Sequence, residues 1–252
     1  MSETNDRGHS RYGGSSIGAV IACAASATAS AAMPTLPDGG YSAEGTWAHA
    51  LAAYCLEQGY RDASGFHNAS LPSGVEVPTQ YSGVVCGKDL CDAVQVYLDA
   101  VFAEWDLTPD AEIYVETIFD LPSAAAPGEV WGQVDALVYH PSLGRVRAFD
   151  YKHGVGVSVS PDDNAQPKFY ATGAILDHPD WRVSEIVCTI VQPRARDADD
   201  VGAVKDWTFD TADLLDFMEQ VETAIERSKS AAALFFTVGD HCRWRGVCWR
   251  TA

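Results

Sequence analysis

Two neighbouring apolar segments carry two carboxylates and an ammonium group. Asp135 interrupts the apolar run Val134–Val138, and Asp150 and Lys152 close the segment RVRAFDYK. Carboxylate oxygens are ligands that Mg²⁺ and other hard cations prefer. If the three side chains converge, they form a site for a hard cation with a cationic neighbour.

The predicted secondary structure supplies that convergence. Residues from about Val130 to Tyr139 and from Arg145 to Lys152 read as strands, and residues 141–144 between them predict a hairpin connection. Side chains two apart lie on one face of a strand, so Asp150 and Lys152 project together while Tyr151 points away. Pairing of the two strands then brings Asp135 beside Asp150.

The remaining elements surround this hairpin. Apolar spacing predicts helices over residues 41–56, 89–105 and 209–228 and strands over 113–121 and 183–192. A further helix follows the hairpin and carries Gln166 and Tyr170, which are four residues apart and therefore share a face. This order predicts an α/β fold with a mixed central sheet flanked by helices. With 252 residues, 47% of them hydrophobic, we expect one domain over 13–252 after a disordered segment, 1–12.

The order of these motifs resembles the PD-(D/E)XK nuclease superfamily, and Q-x-x-x-Y after the lysine resembles its RecB-like branch. GQVDALVY, FDYKHGVGVSV, DDNAQPKFYATGAI and IVQPRA look like segments of a phage-encoded RecB-like exonuclease family related to the CRISPR-associated adaptation nucleases. The similarity runs from about Gly13 to Cys248. It implies a PD-(D/E)XK restriction-endonuclease-like core and a metal-dependent DNA exonuclease. Such an enzyme would resect double-stranded DNA ends in phage recombination, beside a single-strand annealing partner.

The resemblance also implies a set of ligands for one or two Mg²⁺ or Mn²⁺ ions. These are His49, in the motif GTWAH, with Asp135, Asp150 and the carbonyl of Tyr151. Glu116 matches an acidic position of the family; it either joins the metals or lies on the solvent face of an edge strand.

Lys152 is the residue that would position the nucleophile and offset charge on the phosphate. Gln166 and Tyr170 would bind the scissile strand or hold the lysine in place. Basic side chains of a local groove would meet DNA phosphates: Lys168, Arg194 and Arg196. For the two arginines, a solvated loop position is the alternative.

The cysteines favour a reducing compartment. Seven of them, an odd number spread along the chain, do not form a disulfide framework, so we expect a cytoplasmic protein, in the host cell if phage-encoded. Related nucleases hold a [4Fe–4S] cluster with four cysteines, whereas this chain offers only Cys23, Cys242 and Cys248, so no cluster is expected. The apolar segment 17–32 lacks the preceding positive charge of a secretory signal, and no stretch is long enough to span a membrane.

The formal net charge of −18 at pH 7 weighs against long-range attraction to DNA. Two other classes therefore stay open. One is a catalytically inactive DNA-binding or scaffold protein on the same fold, and the other is a secreted or structural α/β protein in which D-x-K is accidental. A homo-oligomeric ring or clamp would imply processive cleavage, but no residue pattern selects one.

Overall fold

A computed structural model describes residues 10–32, 40–72, 75, 77, 85–156, 158–196 and 202–242 of the protein. The helices among these residues are α1 (Gly14–Ala22), α2 (Ser26–Ala32), α3 (Gly40–Gln58), α4 (Lys88–Trp105), α5 (Ala165–Asp177) and α6 (Thr211–Lys229). The strands are β1 (Glu112–Asp120), β2 (Trp131–His140), β3 (Arg145–Tyr151), β4 (Glu185–Val191) and β5 (Val204–Phe209). Short 3₁₀ helices cover Ala63–Phe66 and Ala231–Leu234.

The five strands form one mixed sheet in the order β1-β2-β3-β4-β5. Pairing is antiparallel except between β3 and β4, which run parallel. A parallel pair needs a crossover connection, and α5 lies within the one that joins β3 to β4. The fold is α/β, as expected, and the crossover carries α5 back beside the end of β3.

Helices cover both faces of the sheet. One apolar cluster joins the sheet to α1, α5 and α6 through residues such as Ile17, Phe169 and Phe217. A second cluster joins the opposite face to α3 and α4, with Leu51 and Leu98 fully buried. Each strand of the central hairpin is therefore buried on both sides. None of the helices in the ranges given above is long and apolar enough to cross a membrane.

Both β1 and β2 change the face they present at one step of their pairing. Val134 and Leu137 lie in the α5-side cluster although they are three residues apart, and Ala136 lies on the other side. Side chains of a regular strand alternate, so an odd separation on one face means that the alternation breaks between them. The break falls at Asp135, opposite Glu116, between the pairs Val115↔Ala136 and Thr117↔Val134.

The N-terminal part of the chain and the sheet edge differ from expectation. Residues 1–9 of the segment expected to be disordered lie outside the described residues, but Tyr12 is fully buried and its hydroxyl lies 3.1 Å from Ser228 Oγ. The disordered segment cannot extend to residue 12, because Tyr12 packs in the core beside α6. The edge strand β5 was not predicted, since its alternating sequence VKDWTF is only six residues long.

Candidate active site

Asp135 is fixed by the pairing of β2 with β3. Ala136 lies opposite Phe149, so the next step of this register sets Asp135 opposite Asp150, as the hairpin predicted. The Oδ2 atom of Asp135 accepts a hydrogen bond of 2.7 Å from the backbone N–H of Tyr151. Its Oδ1 atom lies 3.2 Å from Nδ1 of His49, which reaches the sheet from α3. The carboxylate is thus held by the sheet on one side and by a helix on the other.

Glu116 completes this group from β1. Its φ of +45° lies in the left-handed region, which is strained for a residue with a side chain. Gln133 holds it there, because its Nε2 atom donates to both the carbonyl and the carboxylate of Glu116, at 3.2 and 2.7 Å. Gln133 was not among the predicted site residues, although its position two residues before Asp135 was available as a signal.

One ligand atom each from His49, Glu116 and Asp135 lie within 4.8 Å of one another, close enough to share a metal ion. Burial lowers the pKa of His49, but the charges of Asp135, Glu116 and Asp150 outweigh it and raise the pKa to about 9. Burial and the Asp135 charge raise the pKa of Glu116 to about 8. Burial also acts to raise the pKa of Asp135, yet His49 and the Tyr151 N–H hold it below its ordinary value. Without a metal, His49 and Glu116 are therefore protonated at neutral pH, and these protons offset the negative charge of the cluster.

Asp150 begins a second line of contacts. Its side chain is almost fully buried, and Lys152 Nζ lies 3.0 Å from Oδ1 and 2.8 Å from Oδ2. Lys152 also donates to Oε1 of Gln166 at 3.0 Å, and Gln166 donates to the Tyr170 hydroxyl at 3.0 Å. Burial raises the pKa of Asp150 to about 6 despite the lysine. The structure thus joins all four side chains. Asp150 contacts Lys152 and does not belong to the His49, Glu116 and Asp135 cluster.

Local packing sets α5 in place for these contacts. Asn164 caps the helix by accepting a hydrogen bond from the Gln166 N–H at 3.1 Å. The Tyr170 ring then lies against two glycines: a methyl carbon added at Gly14 or Gly132 would stand 2.5 or 2.9 Å from its Cε1 atom. Only residues without a side chain leave room for the ring at these positions.

Arg194 makes protein contacts, and its contact with phosphate stays a prediction. Its Nη1 atom lies 3.0 Å from Glu44 Oε2 and 2.5 Å from His153 Nε2. The other ring nitrogen of His153 lies 2.9 Å from the Tyr151 hydroxyl. Arg194 therefore ties α3 to the end of β3. Arg196 is exposed, and its backbone N–H donates to Gly156.

Lys168 is buried, which weighs against the prediction that it meets DNA phosphate. Its side chain is only 8% exposed and pairs with Asp163. The ammonium group lies 4.8 Å from the ring centroid of Trp207 and 5.7 Å from that of Phe217. It therefore points under β5 and α6, away from the face of α5 that carries Gln166.

Cys23 and Cys242, two of the three cysteines considered for an iron–sulfur cluster, both contact Thr237. The Thr237 N–H donates to Cys23 Sγ at 3.4 Å, and Cys242 Sγ lies 3.8 Å from the Thr237 carbonyl. Cys248 lies outside the described residues. In the described part of the chain the candidate metal group is the His49 cluster, which contains no cysteine.

Fold and site together define an α/β protein whose mixed sheet carries a carboxylate–imidazole cluster beside a buried carboxylate–lysine pair. The family model described as "Protein of unknown function (DUF2800)" matches residues 9–250, and the chain belongs to that family. A solved structure described as "Crystal structure of SSO0001" is similar, with 14% identity over 69% of this chain and 73% of that chain. Its TM-score of 0.24 is too low to support a conclusion about fold or function.

Proposed function

We propose that the protein is a metal-dependent deoxyribonuclease with a RecB-like PD-(D/E)XK core, acting as an exonuclease at duplex DNA ends. One observation carries the proposal. The residues of the D, D-x-K and Q-x-x-x-Y motifs, which are spread over 36 positions of sequence from Asp135 to Tyr170, meet at one end of the central hairpin. A chance D-x-K at an exposed strand end would have neither a facing carboxylate nor a helix bound to its lysine.

The donor set fits a divalent cation. His49, Glu116 and Asp135 offer one nitrogen and two carboxylate oxygens, a set that suits Mn²⁺ and accepts Mg²⁺. The strained backbone at Glu116 and its raised pKa reflect the cost of gathering carboxylates, which a cation would offset, and His49 would release its proton to bind that cation. A bound cation would lower the pKa of a water molecule and neutralise charge on a phosphate.

The other residues of the site position the reacting groups. Lys152, whose side chain is 30% exposed, can direct one N–H toward a phosphate oxygen while Asp150 and Gln166 orient it. Tyr170 fixes Gln166 in turn. Phosphoryl transfer depends mainly on positioning and on charge stabilisation, so this arrangement is chemically sufficient.

The test is cleavage of DNA by the purified full-length protein. End-labelled linear duplex and closed circular DNA would be incubated with Mg²⁺, Mn²⁺ or EDTA, using wild type, Asp135→Asn and Lys152→Ala. Lys88→Ala is the matched control, since it removes an exposed lysine from a surface ion pair with Asp92. We expect metal-dependent loss of the linear substrate only, at least 100-fold slower in the first two variants and unchanged in the control.

An inactive DNA-binding or scaffold protein is the second candidate. It is favoured by the way Lys152 holds both oxygens of Asp150, which leaves that carboxylate outside the group that could share a metal. The same experiment separates the two candidates. If wild type and Lys152→Ala were equally inert while wild type still bound duplex DNA, the scaffold function would replace the nuclease.

A further inference from the structure

Tyr97 has a buried hydroxyl with no hydrogen-bond partner among the described residues. It lies in the middle of α4, its residue is 1% exposed, and its spacing in the sequence fits the apolar stripe of that helix. Burying a hydroxyl without a partner costs stability, because its hydrogen bonds to water are lost and not replaced. Such a group in a native core calls for an explanation.

Other buried tyrosines of the described chain do have partners. The hydroxyl of Tyr12 lies 3.1 Å from Ser228 Oγ, that of Tyr139 accepts from the Arg182 N–H at 3.1 Å, and that of Tyr151 lies 2.9 Å from His153. The fold therefore supplies partners for buried phenols elsewhere, and Tyr97 is an exception.

The surroundings of Tyr97 show what the hydroxyl faces. Its ring lies 4.9 Å from that of Tyr151, whose ring lies 5.2 Å from the imidazole of His49. Burial raises the pKa of Tyr97, and the charges of Asp135, Glu116 and Asp150 raise it further, in that order. The ring contacts thus link Tyr97, on α4, to His49 through Tyr151, and the phenol lies within reach of the cluster's charges as a proton donor.

We propose that the Tyr97 hydroxyl donates a hydrogen bond to a water molecule that bridges it to the carboxylates of this cluster, which makes Tyr97 a positioning residue of the cation site. Both oxygens of Asp135 already have partners, at His49 and at the Tyr151 N–H, and the phenol makes no direct bond to either. A water needs two or more polar partners to occupy a buried site, and the phenol and the carboxylates supply them. The inference rests on one part of the proposed function, the binding of a cation at this cluster.

Tyr97→Phe tests the inference because it removes the hydroxyl and keeps the ring packing. For the metal-free protein in EDTA we expect a melting temperature that changes little, since the variant loses one water-mediated hydrogen bond and keeps the ring packing. For Mn²⁺ alone, measured by electron paramagnetic resonance of the free ion, we expect binding weakened about threefold to tenfold, the range for loss of one water-mediated hydrogen bond.

Tyr12→Phe is the matched control, since it removes a buried phenol that has a partner far from the site. It should show the opposite pattern, a lower melting temperature with the same Mn²⁺ affinity. Combination of Tyr97→Phe with Glu116→Gln should give a loss of Mn²⁺ affinity smaller than the sum of the separate losses, because both changes act on one network.

The outcomes separate this inference from the proposed function. Mn²⁺ binding without DNA cleavage would end the nuclease proposal, and weaker binding by Tyr97→Phe would still support the role of Tyr97. If Tyr97→Phe bound Mn²⁺ as wild type does, or if wild type bound no Mn²⁺ at millimolar concentration, the inference would be overturned.

Discussion

Asp135 and Tyr151 are joined by a hydrogen bond from a backbone N–H to a side-chain carboxylate, at the point where the pairing of β2 with β3 ends. The last backbone pair of that ladder is Ala136↔Phe149, and the carboxylate satisfies an N–H that lies just beyond it. The same carboxylate lies 3.2 Å from His49. The position of the candidate metal group therefore depends directly on the register of the sheet.

Replacement of Gly14 by alanine should displace Tyr170. The new methyl carbon would stand 2.5 Å from Cε1 and 2.8 Å from Cζ of the tyrosine. We expect a loss of about 1–3 kcal/mol in the free energy of unfolding, as for an overpacked core, and slower DNA cleavage in the proposed reaction because Gln166 loses its partner. Urea denaturation and the cleavage assay measure the two effects.

Gly18→Ala is the control on the same helix, since its methyl carbon would lie at an ordinary 3.4 Å from the Ala165 side chain. It should stabilise α1 by about 0.5–1 kcal/mol. Equal effects of Gly14→Ala and Gly18→Ala on stability would mean that contact with Tyr170 does not exclude a side chain at Gly14.

Replacement of Asp150 by asparagine should stabilise the metal-free protein at alkaline pH. Burial raises the pKa of Asp150 from 3.8 to about 6, so the folded state binds more protons than the unfolded state between these values. Wild type therefore loses stability as the pH rises through that window, and the variant does not. We expect Asp150→Asn to be more stable at pH 8 by about 3 kcal/mol, with the difference vanishing near pH 4.

Urea denaturation in EDTA at several pH values measures this difference, and the variant should lack cleavage activity. A constant difference in stability across the whole pH range would show that ionisation of Asp150 is not what destabilises wild type.

Replacement of Lys168 by methionine should leave DNA affinity unchanged. The lysine is buried over the aromatic rings of β5 and α6, and an apolar chain of similar length can fill its place. A change of no more than ~1 kcal/mol in stability is expected, whereas Lys168→Glu should cost ~3–5 kcal/mol by leaving a buried charge unpaired. Fluorescence anisotropy with a labelled duplex gives the affinity; a severalfold loss in Lys168→Met at unchanged stability would restore the DNA-contact role.

Cys86 and Cys91 should form a disulfide under oxidising conditions. They lie on either side of the first turn of α4, with sulfur atoms 2.8 Å apart. Exchange with glutathione disulfide would join them and release reduced glutathione, slowly, because burial raises the pKa of Cys86 to about 12. Alkylation after unfolding should then label five of the seven cysteines, and the Cys91→Ser variant should gain no internal bridge.

The central hairpin and its polar contacts could be predicted because their determinants are local. Alternation within RVRAFDYK sets Asp150 and Lys152 on one face, and the short connection fixes Asp135 opposite Asp150. Residue spacing also indicated that Lys168 and Gln166 lie on different faces of α5, which the prediction did not use. Lys168 follows Gln166 by two positions, roughly 200° around a helix, so the two side chains could not serve one surface.

The metal group required information that no single segment carries. Glu116 joins His49 only because β1 and β2 break their alternation at the same step. The strained φ of Glu116 and its support by Gln133 arise from the pairing of β1 with β2, which brings together two residues 17 positions apart. Sequence periodicity describes regular strands, and here the site lies at the irregularity.

The break in alternation divides the candidate site between two hydrophobic cores. His49 is set by the packing of α3 and α4 on one face of the sheet, and Gln166 by the packing of α1, α5 and α6 on the other. Substitutions that repack one core would therefore move one half of the site while the sheet holds the other half still. In evolution, the cation-binding groups and the lysine-binding groups could change at separate times without loss of the common fold.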